Sequence, residues 1–356
     1  MEKNLVGVEK CPWCNGKFRV PNDIFADTTN HYITTILGTT PEKATNLLKL
    51  MKGYQCLSCK TTYLDPWFSP EGLTHFFSNQ KSVHRVGWGK FRGLLSEGFT
   101  SPASEVNIEI LKILGPEIKV LEKYIEVGCP FMGMLGTLSA LQSGESIGDK
   151  FISSKKRFFR DNYYSRKFVR LSRINNLIEM LFTKWLVILT ALKYRLKNFE
   201  PSPSFLQIMN RTGLHRLAVE LIVTAPKTHL MWRDNCVGET GTCISTSVNT
   251  FGVKNMLWEE ISASRNDKRD RTLIAFFNTL DHQLNGAIKL KESFNFAKYV
   301  LIETHTNNHV EKQHSFVIQD TINSLDPLVY KVRNLSLESE KLKLKSKDQY
   351  YLISLI

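Results

Sequence analysis

Lys123-Tyr124-Ile125-Glu126-Val127-Gly128, running through Cys129 and Pro130 into MGMLGTLSALQSG at residues 132–144, is the stretch on which the fold turns. An apolar run closes on an acid and a glycine, and a glycine-spotted turn then leads into a helix-like segment. Strand, turn and helix in that order open an α/β unit.

Outward from this unit the same rhythm continues towards the C-terminus. The pattern predicts a helix around GLHRLAVELIVT (213–224), then strands at THLMWRD (228–234), FGVKNML (251–257) and TLIAFFNTLDH (272–282). A helix through GAIKLKESFNFA (286–297) and a strand at KYVLIETH (298–305) follow. Two final β-like runs, LVYKVRNLSL (328–337) and YYLISLI (350–356), flank the charged ESEKLKLKSKDQ and read as a hairpin with a solvated tip. Strands with apolar cores alternating with helices predict an α/β fold, a Rossmann-like, mostly parallel sheet with helices on both faces, ended by an antiparallel hairpin.

Upstream, residues 67–118 read as a helical linker region, with FSPEGLTHFFSN (68–79) and the amphipathic SEVNIEILKILG (104–115), which ends at Gly115-Pro116. The first 66 residues carry two C-x-x-C turns, Cys11/Cys14 and Cys56/Cys59, each followed by a short strand-like run. Each turn presents two thiolates, and two such turns facing each other complete a tetrahedron around zinc. Four thiolates leave no open coordination position, so the metal is structural and the segment is a zinc-ribbon-like module. The polar residues 21–52 between the pairs must then loop out. Two pairs of reduced thiols without metal are the plainer reading. His31 and His75 are spare ligands.

Seven cysteines and no apolar run behind the first charges point to a cytosolic chain with reduced thiols, not to a disulfide framework. With 42% hydrophobic and 23% charged residues, the composition excludes disordered and collagenous classes. The net charge of +13 favours an anionic partner. Much of the excess lies in one place: nine Lys or Arg and the single acid Asp161 between Lys150 and Arg173. That run opens an insertion at about 145–210 into the α/β domain of residues 119–356. Its apolar half, Leu177–Leu192, contains Glu179 and Lys184 and is shorter than the ~20 residues that cross a bilayer. A helical lid over a substrate mouth, or an amphipathic anchor on an anionic membrane surface, are the two readings of the insert. The second would make a cytoplasmic protein peripheral to the membrane.

In its order of motifs the chain resembles class I AdoMet-dependent methyltransferases. Tyr124 to Cys129 looks like that family's first strand and cofactor loop, and the resemblance implies that Glu126 and Gly128 approach S-adenosyl-L-methionine. It also implies that Asp234, at the end of HLMWRD, binds the ribose, that Trp258 and Glu259 lie near adenine, and that Asp281 stands beside the transferred methyl group. His282, His305 and His314 are the candidate general bases, since an imidazole with pKa near 6.5 suits proton removal. The cysteine module in front further resembles sugar C-methyltransferase-like branches, which implies a small or carbohydrate-linked acceptor. Pro130 and Met132 depart from the family's loop, because proline supplies no N–H and fixes φ. A domain that keeps the fold and serves as a binding or assembly protein is therefore an alternative. A nucleic-acid binding or modifying zinc protein is a third, and less favoured, because aromatic residues for base stacking are not concentrated in the basic regions.

For each single residue there is also a plainer reading. Glu126 and Gly128 could end a strand, Asp234 and Asp281 could cap turns or helices, and the histidines could be ordinary surface residues.

Overall fold

The computed structural model describes residues 5–22, 24–26, 40–69, 105–127, 134–143, 219–225, 253–263, 268–277, 279–280, 286–304, 310–311, 316–345 and 349–356. Within them the N-terminal part contributes β1 (Leu5–Val6), β2 (Arg19–Pro21), β3 (Phe25–Ala26), α1 (Pro41–Leu50), β4 (Lys52–Cys56), β5 (Thr62–Asp65) and β6 (Trp67–Phe68). Two helices, α2 (Glu105–Ile113) and α3 (Gly115–Ile118), lead to β7 (Lys123–Val127) and α4 (Met134–Ser143). Next come β8 (Glu220–Ala225), β9 (Lys254–Leu257), α5 (Trp258–Ala263), β10 (Thr272–Phe277), α6 (Gly286–Phe296) and β11 (Tyr299–Thr304). The chain closes with β12 (Val310–Glu311), β13 (Phe316–Val317), α7 (Gln319–Asn323), β14 (Tyr330–Asn334), α8 (Leu335–Glu338), α9 (Glu340–Lys345) and β15 (Gln349–Leu355).

Seven of these strands form one sheet in the order β14-β15-β11-β10-β7-β8-β9. β11, β10, β7, β8 and β9 are parallel to their neighbours, whereas β15 runs antiparallel to both β11 and β14. The fold is thus mixed α/β with a mostly parallel sheet, as the pattern predicts.

Strand side chains alternate between two cores, as period 2 requires. Ile125, Val127, Ile222, Ile274, Phe276, Val300, Ile302, Tyr351 and Ile353 enter one core, together with Trp258 and Ile261 of α5 and Ala287, Leu290 and Phe294 of α6. Tyr124, Leu221, Leu273, Ala275, Phe277, Leu301 and Leu352 enter the other, with Ile110 and Leu111 of α2 and Leu135 and Leu138 of α4. A strand buried on both faces shows no polar alternation, which is why these strands read as continuous apolar runs.

That loss of alternation accounts for one misreading. Residues 213–224 carry Leu214, Leu217 and Ala218 at helical spacing, but Glu220–Ala225 is the strand β8. The β-branched Ile222, Val223 and Thr224 and the stop at Pro226 favour the strand once tertiary pairing is offered. The second parallel strand therefore ends at Ala225, upstream of the stretch THLMWRD that was expected to form it; that stretch lies outside the described residues.

Three smaller corrections have equally simple causes. The residues between the cysteine pairs do not merely loop out: α1 begins at Pro41, a residue suited to a first helical turn, and buries Leu47 and Leu48. The amphipathic helix α2 does stop where expected, at Ile113 just ahead of Gly115-Pro116, and the proline sits in the first turn of the separate short helix α3, where no N–H is needed. The tip between β14 and β15 is not wholly solvated, since it folds into α8 and α9 and buries Leu335 and Leu342. Arg333 then ties this hairpin to α2 and α3 through Glu117 (2.6 Å), beside its pair with Glu338 (2.6 Å). Trp67 and Phe68, expected to open a helix, instead pair with β1 as the strand β6. The helix expected beyond them, through residue 79, lies outside the described residues.

The amino edge of the sheet is closed by charge. Glu122, ahead of β7, pairs with Lys268 (2.6 Å) and Arg271, and these cations hold its carboxyl below the usual range. Glu220, at the start of β8, pairs with Lys123 (3.9 Å) and with Lys254. These partners stand at the amino ends of the strands. The carboxyl ends are at Val127, Ala225, Leu257, Phe277 and Thr304. Among the described residues no helix is long and apolar enough to cross a membrane.

Candidate functional site

The four cysteines come together. Cys11 Sγ lies 3.5 Å from Cys59 Sγ, Cys14 Sγ lies 3.6 Å from Cys56 Sγ, and all four sulfurs fall within 4.8 Å of one another. A tetrahedral zinc ion with Zn–S bonds of ~2.3 Å needs sulfurs ~3.8 Å apart. The cluster thus has the donor set and spacing for such an ion.

Local sequence explains the geometry. In each knuckle the first cysteine's carbonyl accepts from the residue after the second cysteine: Asn15 N–H to Cys11 O at 2.9 Å, and Lys60 N–H to Cys56 O at 3.0 Å. The first cysteine's own N–H then reaches one residue further, to Gly16 O and Thr61 O, both at 2.9 Å. Closing so tightly puts Asn15 and Lys60 at φ of 61° and 62°. Asparagine tolerates this left-handed conformation; lysine does not. Gly16 fits for a different reason: a Cβ there would stand in tight contact, 3.1 Å from Cys14 Sγ and 3.2 Å from Cys56 Sγ, so a larger residue would press on the cluster. Backbone N–H groups of Trp13 and Gly16 approach Cys11 Sγ and Cys14 Sγ at 3.4 Å, as donors to thiolates should. Replacing Lys60 by glycine is expected to stabilise the protein by up to about 1 kcal/mol, the left-handed strain relieved less glycine's greater chain entropy. Urea unfolding would measure it.

The thiols differ in acidity. Hydrogen bonds from the Cys11 thiol and from the hydroxyl and N–H of Thr61 pull Cys59 down to about 5. The same bond to Cys59, with burial, pushes Cys11 up, and burial pushes Cys14 up to about 11. Around the cluster, Arg19 fastens the ribbon by pairing with Asp65 (2.7 Å), donating to Val8 O (2.8 Å) and covering the Tyr54 ring.

The second place of interest is the carboxyl edge between β7 and β10. From β7 the sheet runs to β8 and β9 on one side and to β10 and β11 on the other, and ligands of open α/β sheets bind where the order reverses. Thr279 ties the two strand ends together, its single hydroxyl proton shared between Val127 O (3.0 Å) and Phe277 O (2.8 Å). Glu126, one residue from the end of β7, is 0% exposed. Its Oε2 accepts from the Tyr124 hydroxyl (2.9 Å) and from Leu135 N–H (3.1 Å), an otherwise unpaired donor in the first turn of α4. Its Oε1 is buried with no hydrogen-bond partner among the described residues. Burial pushes the carboxyl up to about 8, against the pull of those two donors, and the charge of Glu303 adds to the rise.

Trp258 and Glu259 open α5, directly after the carboxyl end of β9. The Trp258 indole is 3% exposed, donates to Glu292 (2.9 Å), packs against Phe276 and Phe296, and carries the Lys289 ammonium over its ring at 4.8 Å. Glu259 is exposed. Gly128, Asp234, Asp281, His282, His305 and His314 lie outside the described residues, as do His31, His75, the loop with Pro130 and Met132, and the basic insert at 145–210. The roles of Tyr124, Thr279, Thr61 and Thr321 emerge only from the tertiary structure. Thr61 could have been suspected from its place behind the second knuckle, but nothing in the sequence links it to Thr321.

The chain matches no protein-family model and no curated protein.

Proposed function

We propose that the protein is an AdoMet-dependent methyltransferase acting on a small or carbohydrate-linked metabolite, with one structural zinc ion held by Cys11, Cys14, Cys56 and Cys59. The observation that carries this reading is the strand order. Counted along the chain, the sheet runs third, second, first, fourth, fifth, seventh, sixth, with the seventh strand reversed. Dinucleotide-binding sheets share the first part of this order but end on a sixth parallel strand. A reversed final strand between the fifth and the sixth is the arrangement of class I methyltransferases, the family that the motif order resembles.

When bound, AdoMet supplies a methyl group already activated on a sulfonium. The chain then has to orient the acceptor, exclude water and remove a proton where the nucleophile is neutral. Glu126 fits the cofactor edge because its buried Oε1, without a partner among the described residues, lies at the switch point. With its pKa near 8 the carboxyl is largely protonated at neutral pH and has an O–H to offer a ligand. Gly128, Trp258, Glu259 and Asp281 complete the proposed cofactor set, and His282, His305 and His314 are the proposed bases; Asp234, nine positions beyond the end of β8, no longer holds the strand-end place that gave it the ribose. The basic insert would meet the phosphate of an activated acceptor or an anionic membrane surface.

The second reading, a methyltransferase-fold protein that binds or assembles without transferring methyl, is favoured by one observation: Glu126 is wholly buried and one of its oxygens serves Tyr124 and α4. Titration calorimetry of zinc-loaded protein with AdoMet and its demethylated product separates the two. One site per chain is expected; absence of heat and of any thermal shift would sink the enzymatic reading.

A further inference from the structure

We propose that the metal centre does more than close its own ribbon: it fastens the chain that leaves the carboxyl end of β11, so that metal occupancy governs the order of that edge of the sheet. The proposal rests on the zinc part of the reading above and is independent of methyl transfer.

β11 ends at Thr304, on the edge where open α/β sheets bind ligands. The next two strands do not join the large sheet. β12 pairs with β3, Val310 against Phe25, and β13 pairs with β5, Phe316 against Tyr63 and Val317 against Thr62. β5 is a strand of the four-stranded ribbon sheet, and β3, which pairs only with β12 in a sheet of its own, lies in the chain between the two cysteine pairs. Among the described residues the strand pairing of this returning segment is therefore entirely with the N-terminal part that carries the cysteines. Two-residue ladders have little stability of their own and depend on what holds the partner strand. For β5 that is the knuckle Cys56–Cys59, which ends three residues before Thr62.

A side-chain path runs the same way. Cys59 Sγ lies 3.1 Å from Thr61 Oγ1, and Thr61 Oγ1 in turn hydrogen bonds Thr321 Oγ1 in α7, 260 positions later in the chain. Both threonines are almost completely buried, at 0% and 2% exposure. Each hydroxyl has a single proton to donate. A metal-bound thiolate is only an acceptor, so Thr61 gives its proton to Cys59 and accepts the proton of Thr321. The direction of the relay is thus set at the sulfur. Without a fixed sulfur, the knuckle, the β5–β13 ladder and α7 lose their common anchor.

Hydrogen–deuterium exchange read by mass spectrometry on the full chain, zinc-loaded and after chelation, tests this. Metal removal should speed exchange over residues 316–323 by about tenfold or more, together with 52–65, while 272–277 and 299–304 in the large sheet stay protected. Zinc-loaded Thr321→Val, with all four cysteines intact, should keep one zinc per chain yet exchange faster over 316–323; Thr321→Ser, which restores the hydroxyl, should resemble the wild type. Unchanged protection over 316–323 after chelation overturns the proposal. So does simultaneous loss in 272–277 and 299–304, which would make the metal a support of the whole fold. Elemental analysis finding no zinc in the purified protein would instead overturn the metal reading itself, and absence of AdoMet binding would touch neither.

Discussion

Cys56→Ser is expected to destabilise the protein by about 5 kcal/mol or more, seen as a fall in Tm of about 10 °C or more and as loss of one zinc per chain. Cys56 is 0% exposed, ends β4, and lies in register with Arg19 of β2. Serine removes the thiolate, and its oxygen is shorter and poorly suited to a soft four-sulfur site. The three remaining sulfurs would stay crowded behind a ribbon whose buried Tyr63, Leu64 and Trp67 belong to the same core as one face of the large sheet. Thermal unfolding with and without chelator isolates the metal's share: chelation should lower the wild type to near the level of the variant and leave the variant almost unmoved. Equal response of both proteins to chelator would show that the cysteines act without metal.

Glu126→Gln is expected to change the pH dependence of stability. The folded-state pKa near 8 lies above the ~4.3 of an unfolded glutamate, so the folded protein holds this proton more tightly than the unfolded chain. Below ~4.3 the carboxyl is neutral in both states and carries no penalty. Stability then falls as pH rises through the window from ~4.3 to about 8, by on the order of 1.4 kcal/mol per unit, and levels off above it. Glutamine keeps an oxygen for the Leu135 N–H and cannot ionise. The variant should therefore match the wild type near pH 4 and exceed it by a few kcal/mol at pH 9, measured by urea unfolding at the two values. The same difference at both pH values would show that the carboxyl titrates in its ordinary range. The result also bears on function, because a carboxyl kept neutral at the strand crossing is a donor for a ligand, whereas an ionised one only accepts.

What could be read from the sequence and what could not divides along physical lines. The knuckles were readable because a C-x-x-C turn is local: two thiols, a tight turn and a left-handed residue all lie within six positions, as in Cys11–Gly16. β7, β10 and β11 were readable as short continuous apolar runs bounded by turn residues, and α6 by its helical spacing between them. β8 was not, since a strand buried on both faces and preceded by leucines at helical spacing gives no local signal against a helix. The role of Glu126 was half readable. Its place at a strand end follows from the motif, but its burial, its bond to the first turn of α4 and its raised pKa depend on a helix packed over it.

Taken alone, the amino-acid sequence determined the fold class, the two C-x-x-C knuckles whose four cysteines could hold a metal ion, and the candidate acid at the first strand's end, because each is written in short-range pattern. Only the tertiary structure decided which strands are neighbours. That β15 slots in reverse between β11 and β14, that β5 reaches across to β13, and that Thr61 meets Thr321 are all contacts between distant segments. Such contacts are chosen by how buried faces fit and how unpaired backbone groups find partners, and no local period encodes that choice.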